Sequence, residues 1–321
     1  METMRAMVAT GLGGVEVFEE ARLPMPVRAN AEVVVKVFAA GVNPIDAKTR
    51  AGRGVATAIR QFPAVLGYDL AGVVVESPYE AHPLIVGTAV YGMTMVPRFD
   101  GSYAEYATVP AAFLAPKPST IGFDEAAALP LAALTAWGMV VDVARAHEGQ
   151  RMLIHAGAGG VGHLAVQLAA YFGAEVIATC STRNVSFVRQ LGAARVIDYT
   201  QQRFEDEVSG LDVVIDLIGN VHEHTGTRSL STLRPGGLLV NVPSGSWPTV
   251  IADAATAGIR ATGYKVAPSG ANLAVMTRMI DAGDLRVHVD RTFPLTEVAA
   301  AHTLLEQGRT RGKIVLHVAD A

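Results

Sequence analysis

The sequence predicts an α/β chain in which a doubly wound parallel sheet is joined to a mostly β domain. Three observations predict it. The glycine-rich stretch Ala156-Gly157-Ala158-Gly159-Gly160-Val161-Gly162 follows the apolar run Met152-Leu153-Ile154 and opens a segment where Val161, Leu164, Leu168 and Phe172 recur at helical spacing. Apolar runs alternate with alanine-rich helical stretches from Asp124 onward. Before that point the pattern is one of short β-branched runs punctuated by glycine and proline.

Taken in order, Val15–Phe18, Val33–Phe38, Ala71–Val75 and Ala89–Tyr91 read as strands of the mostly β domain, which extends to about Val109. The runs Arg151–Ile154, Glu175–Cys180, Arg195–Tyr199, Asp212–Ile218, Leu238–Val242 and Arg260–Tyr264 read as parallel strands linked by right-handed helical crossovers. After Tyr264 come helices near Asn272–Ala282 and Leu295–Gln307 and a last strand, Lys313–Val318, more than the parallel core can hold. The terminal piece is therefore expected to return to the first domain. The expected division is 1–124 completed by 266–321, with 125–265 between them.

Half of the 321 residues are hydrophobic, enough for two cores. A net charge of −4 without any basic run argues against nucleic acid or an anionic membrane as partner and favours a small molecule. Cys180 is the only cysteine, so no internal disulfide and no cysteine-built zinc site can form, and a reducing, cytoplasmic setting is expected. Met1–Thr10 lacks the basic-then-apolar order of a signal peptide. Met152–Ala174 is free of acidic and basic residues and long enough to reach across a bilayer core of about 30 Å. It holds His155, His163, Gln167 and the clustered glycines, however, and so reads as strand, turn and helix.

That turn predicts a dinucleotide. Residues without a β-carbon let backbone amides approach a pyrophosphate, and the dipole of the following helix favours its charge, so Gly157, Gly159, Gly160, Val161 and Gly162 are the expected contacts. A fold selective for NAD places a carboxylate about 20 residues further on. Here that place reads Ser181-Thr182-Arg183-Asn184, whose hydroxyls and guanidinium suit a 2′-phosphate, so NADP(H) is the expected cofactor. Ser181 also suits a helix cap. Tyr199 ends the third strand and could lie along the same phosphate, while Gly219 and Val242–Ser244 follow the fourth and fifth strands, at the carboxyl ends where ligands bind.

Several separated motifs occur together: Gly41-Val42-Asn43-Pro44-Ile45-Asp46-Ala47-Lys48, Pro63-Ala64-Val65-Leu66-Gly67-Tyr68-Asp69-Leu70-Ala71-Gly72, Gly101-Ser102-Tyr103-Ala104-Glu105-Tyr106, Ala128-Leu129-Pro130 through Trp137, the glycine turn, and Arg311-Gly312-Lys313-Ile314-Val315. In this set and order the chain resembles the medium-chain dehydrogenase/reductase superfamily, in its zinc-independent quinone and enone oxidoreductase branch. The resemblance implies a GroES-like domain built from both chain ends, a Rossmann domain between them, and a homodimer. Zinc alcohol dehydrogenases carry a ligand such as Cys where this chain has Val42 or Asn43, and Gly-His-Glu where it has Gly67-Tyr68-Asp69. No metal is therefore expected.

Without a metal or a covalent nucleophile, the expected chemistry is hydride transfer from the nicotinamide to a quinone or to the β-carbon of an α,β-unsaturated carbonyl. There one hydrogen-bond donor can stabilise the charge that reaches oxygen. The resemblance points to Lys48 as that donor, with Asn43, Asp46 and Tyr68 as further candidates; Asn43 and Asp46 also suit turn and cap chemistry. Tyrosine is common in the bacterial relatives where this chain has Lys48 and, a little further on, Gly54. The resemblance also turns the Thr135 hydroxyl toward the cofactor, from the start of a helix. Arg311 and Lys313 are expected on its phosphate side. Two alternatives are an enoyl reductase acting on a thioester or polyketide intermediate and a non-catalytic NADPH-binding regulatory protein. The Arg260–Tyr264 strand offers an edge for dimerisation.

Overall fold

The structure, a computed structural model, describes residues 2–320 and divides into two units. One comprises the chain up to Leu134 together with everything from Ala267 onward; the other is Thr135–Val266. The amino-terminal part of the first unit contains β1 (Thr3–Ala9), β2 (Phe18–Pro24), β3 (Glu32–Val42), β4 (Ala64–Val65), β5 (Asp69–Glu76), β6 (Ala89–Met93), β7 (Tyr106–Pro110) and β8 (Leu114–Pro116). The second unit contains β9 (Arg151–Ile154), β10 (Glu175–Cys180), β11 (Arg195–Asp198), β12 (Leu211–Asp216), β13 (Leu233–Asn241) and β14 (Arg260–Gly263). The carboxyl-terminal part of the first unit adds β15 (Val289–Pro294) and β16 (Lys313–His317).

In the second unit the strand order is β11-β10-β9-β12-β13-β14 and every pairing is parallel. The chain runs outward from β9 in one direction and from β12 in the other, which opens a crevice beyond the carboxyl ends of these two strands. All six expected strands are present. The fifth starts earlier than expected, at Leu233, because Leu211 pairs with Leu233 before Pro235-Gly236-Gly237 interrupts the ladder; regular register resumes at Leu238. Leu153, Ile177, Ile197, Val214 and Leu239 form the centre of this core.

In the first unit, β16 pairs antiparallel with β3, so the terminal strand does return to the amino-terminal domain. The larger sheet runs β15-β16-β3-β5-β6-β8, with β7 also paired to β3, and a smaller one runs β2-β1-β4. Val35, Val37, Leu70, Val74, Ile314 and Leu316 bury its core. Val15–Val17, expected as a strand, is a 3₁₀ turn, and β2 begins only at Phe18. The Glu16 carboxylate accepts the Gly14 N–H at 2.8 Å, which closes a local turn in place of a ladder. No helix among the described residues is long and apolar enough to cross a membrane.

Candidate active site

Helix α1 (Pro44–Arg50) begins where β3 ends. Proline at its first position has no N–H to leave unsatisfied, and Asp46 Oδ2 accepts the Asn43 N–H at 2.7 Å, one arm of a capping box. The Asn43 side chain is used elsewhere. Its amide donates to Asp69 Oδ2 at 2.9 Å, and its carbonyl accepts from Lys313 Nζ. Lys313 Nζ also donates to the Val42 carbonyl at 3.0 Å and lies 3.8 Å from Asp69 Oδ2. The second Asp69 oxygen accepts the Leu131 N–H at 2.8 Å.

Asp46 extends the network. Its Oδ2 also accepts from the Tyr103 hydroxyl at 3.1 Å, and that hydroxyl is 3.1 Å from His302 Nε2. A hydroxyl that donates to a carboxylate has only lone pairs left for the imidazole, so Nε2 is the protonated nitrogen of His302. Burial pushes His302 down to about 3, which keeps the ring neutral. Burial likewise pushes Asp46 up to about 7 and Asp69 to about 6, outweighing the N–H donors and the Lys313 ammonium that act against it. The Tyr68 hydroxyl and Asp46 Oδ1 are buried without a hydrogen-bond partner among the described residues, and burial followed by the Asp46 charge raises the Tyr68 pKa.

The four side chains singled out in this segment thus separate. Asn43, Asp46 and Tyr68 are 1%, 0% and 2% exposed and face inward. Lys48, in the last turn of α1, is half-buried; desolvation and then the Arg53 guanidinium lower the pKa of its ammonium. The expectation for Lys313 needs correction. Its ammonium, 3% exposed, is committed to Val42, Asn43 and Asp69 and is not turned toward a phosphate. Tyr103 and His302 escaped the sequence reading. The only signal was a tyrosine within the Gly101–Tyr106 motif, and a histidine among apolar helix residues carries none.

The donor set does not suit zinc. Both Asp69 oxygens are engaged, an ammonium stands beside them, and no group of three His, Cys, Asp or Glu side chains converges among the described residues.

In the second unit the glycine turn closes tightly between β9 and helix α2 (Gly162–Tyr171). A β-carbon on Gly162 would lie 2.1 Å from the Ala156 carbonyl oxygen, and one on Gly157 2.9 Å from the Ala178 side chain. Gly159, Gly160 and Val161 keep partial exposure at the amino end of the helix, an arrangement that suits a diphosphate. His155 fastens the turn from below, with Nδ1 3.1 Å from Thr179 Oγ1 and Nε2 2.9 Å from Ser229 Oγ. Burial, then the nearby Arg228 charge, push it down to about 3. At the end of β10, Ser181 makes no side-chain cap; its hydroxyl accepts from the Asn184 amide at 3.3 Å. The Thr182 hydroxyl lies 3.0 Å from that of Thr200, while Arg183 and Tyr199 are exposed. Gly219 takes φ +79°, with its N–H on Asp216 Oδ1 at 2.7 Å, and the Val242 N–H reaches the Asp216 carbonyl at 3.0 Å. Thr135, expected at the start of its helix, is buried well inside a helix that begins at Pro130.

Two family models match parts of the chain. Residues 29–119 match the family described as alcohol dehydrogenase GroES-like domain, and 191–316 the family described as zinc-binding dehydrogenase. The chain is 36% identical to the 2-methylene-furan-3-one reductase of Solanum lycopersicum, over 98% of its own length and 79% of the relative's. The NADPH-dependent alkenal/one oxidoreductase, chloroplastic, of Arabidopsis thaliana matches with the same identity and coverage. The solved structure of the quinone oxidoreductase from Coxiella burnetii superposes with a TM-score of 0.93 at 36% identity, covering 99% of this chain and all of that one (100%).

Proposed function

The chain belongs to the medium-chain dehydrogenase/reductase superfamily, in its quinone and enone oxidoreductase branch, and we propose that it is an NADPH-dependent reductase of quinones or of the activated C=C of α,β-unsaturated carbonyl compounds. When bound, the reduced nicotinamide supplies a hydride. The residues of this chain supply position and polarity. In an enone the new C–H bond forms at the β-carbon, the C=C pair shifts to join the α-carbon and the carbonyl carbon, and the carbonyl π pair moves to oxygen. Water then delivers a proton to the α-carbon. The charge on oxygen needs one strong donor, and the half-desolvated Lys48 ammonium fills that role. Asn43, Asp46 and Tyr68 hold the segment that carries it. The observation that carries this reading is Lys48 itself, a cation kept partly exposed on a helix whose other polar side chains, Asp46, Thr49 and Arg50, are buried.

For the cofactor we assign Gly157, Gly159, Gly160, Val161 and Gly162 to the diphosphate, and Ser181, Thr182, Arg183, Asn184 and Tyr199 to the 2′-phosphate side. Thr135, Gly219 and Val242 are assigned as further contacts. The names of the relatives favour turnover over a role limited to cofactor binding. A reducing, cytoplasmic setting accords with the single buried cysteine. We also propose a homodimer formed through β14, the last strand of its sheet. A monomeric mass at micromolar concentration would rule that out.

The test is oxidation of NADPH against quinones, small enones and enoyl thioesters, with NADH run in parallel. Turnover with the first two classes and a preference for NADPH is the expected result. A strict requirement for stoichiometric zinc, or a marked preference for NADH, would overturn the reading.

A further inference from the structure

Between Asp46 and Asp69 the sequence contains no acidic residue, yet it contains Lys48, Arg50, Arg53 and Arg60. Arg50 has an acidic partner: it is buried, with Nη2 2.7 Å from Glu306 Oε1. Lys48 and Arg53 enter none of the ion pairs among the described residues. The two carboxylates that bracket the run are committed to the buried network around Asn43, Lys313 and Tyr103.

The turn after α1 holds the backbones of these two residues together. Gly52 and Gly54 take φ values of +78° and +56°, a region open to glycine. Arg53, between them, donates its N–H to the Lys48 carbonyl at 2.8 Å and accepts the Ala56 N–H at 2.9 Å. A β-carbon on Gly54 would press on Ile45 Cδ1 at 3.0 Å and approach Lys48 Cβ at 3.4 Å, so the absence of a side chain keeps the space beside Lys48 open. The Arg53 charge acts on the half-desolvated Lys48 ammonium, and an anion that joins them would relieve the repulsion.

We propose that Lys48 and Arg53 form an anion subsite, so that the acceptor is an α,β-unsaturated carbonyl compound that also carries a carboxylate or phosphate group. The proposal rests on the reductase reading above. Lys48 meets the carbonyl oxygen as a point donor, and the planar guanidinium of Arg53 meets the anionic group with paired donors. The phosphates of the cofactor offer the same chemistry, and the experiment separates the two sources.

The experiment follows NADPH oxidation by 4-oxopent-2-enoate, by its methyl ester and by benzoquinone, with the wild-type protein, Arg53→Gln and Arg53→Lys. The acid is expected to be preferred over the ester, with a kcat/KM that falls as sodium chloride is added. In Arg53→Gln the acid-to-ester ratio is expected to drop on the order of tenfold, the scale of one hydrogen bond to a charged group. Arg53→Lys should recover part of that loss. An ester preference in the wild-type protein overturns the proposal. So does an unchanged ratio in Arg53→Gln accompanied by a raised KM for NADPH, which assigns the anion to the cofactor. Oxidation with benzoquinone alone overturns the proposal and leaves the reductase reading standing, whereas no oxidation with any of the three overturns both.

Discussion

Lys313 Nζ lies 3.8 Å from Asp69 Oδ2 in the interior of the first unit, and both side chains are almost wholly buried. A buried ion pair is weak evidence of net stabilisation, but removal of one partner strands the other. Lys313→Met should therefore destabilise the protein by about 3–5 kcal/mol, read from urea unfolding. The double variant Lys313→Met/Asp69→Asn should recover part of that loss. Equal damage in both would show that the pair is not coupled.

Asp46 predicts a pH dependence of stability. Its folded-state pKa of about 7 lies above the value of 3.8 expected for an exposed side chain. From about pH 4 to pH 7 the folded protein holds a proton that the unfolded chain has released, so stability falls as pH rises through this window and levels off above it. The slope is at most roughly 1.4 kcal/mol per pH unit for one proton. Asp46→Asn cannot titrate, and its unfolding free energy should decline less between pH 5 and pH 7 than that of the wild type. Parallel curves would show that another group dominates.

Replacement of Lys48 addresses the chemistry. Lys48→Met should lower kcat/KM for a small enone on the order of a hundredfold, the scale seen when one donor to a developing oxyanion is removed. Its circular dichroism should match the wild type, since the side chain makes no ion pair. An enone activity within a factor of about two would assign the donor to water.

The cofactor turn gives a prediction in the second unit. In Gly162→Ala the new methyl group would meet the Ala156 carbonyl at 2.1 Å, and a backbone oxygen in a closed turn cannot swing away. The KM for NADPH should rise by about an order of magnitude as the turn opens and its amides lose their aim. Arg183→Ala should also raise the KM for NADPH, on the order of tenfold, and leave that for NADH nearly unchanged, because only the first carries the extra phosphate. Equal effects on both cofactors would remove Arg183 from the 2′-phosphate.

Much of the architecture is legible in the sequence because its signals are local. Val161, Leu164 and Leu168 repeat at helical spacing, and the runs Glu175–Cys180 and Leu238–Val242 are apolar over short, strand-like lengths. The inner network is not legible, because it is made of contacts between distant parts of the chain. Lys313 bonds to Asn43 across 270 positions, and only the pairing of Ile314 with Val42 brings them together. Read along the chain, Arg311-Gly312-Lys313 looks like a loop that reaches for an anion. The antiparallel register of β16 with β3 turns that lysine inward. Val15–Val17 shows the opposite failure: its residues favour a strand, and a neighbouring carboxylate closes a turn first.

His155 has a consequence for how the protein meets a changing environment. The imidazole beneath the glycine turn stays uncharged at any pH a cell experiences, because its protonation lies near 3. Acidification therefore places no new positive charge on this ring under the loop. The groups that respond to a fall in pH are instead the buried carboxylates whose pKa burial raises, Asp46 and Asp69 in the first unit and Asp216 in the second.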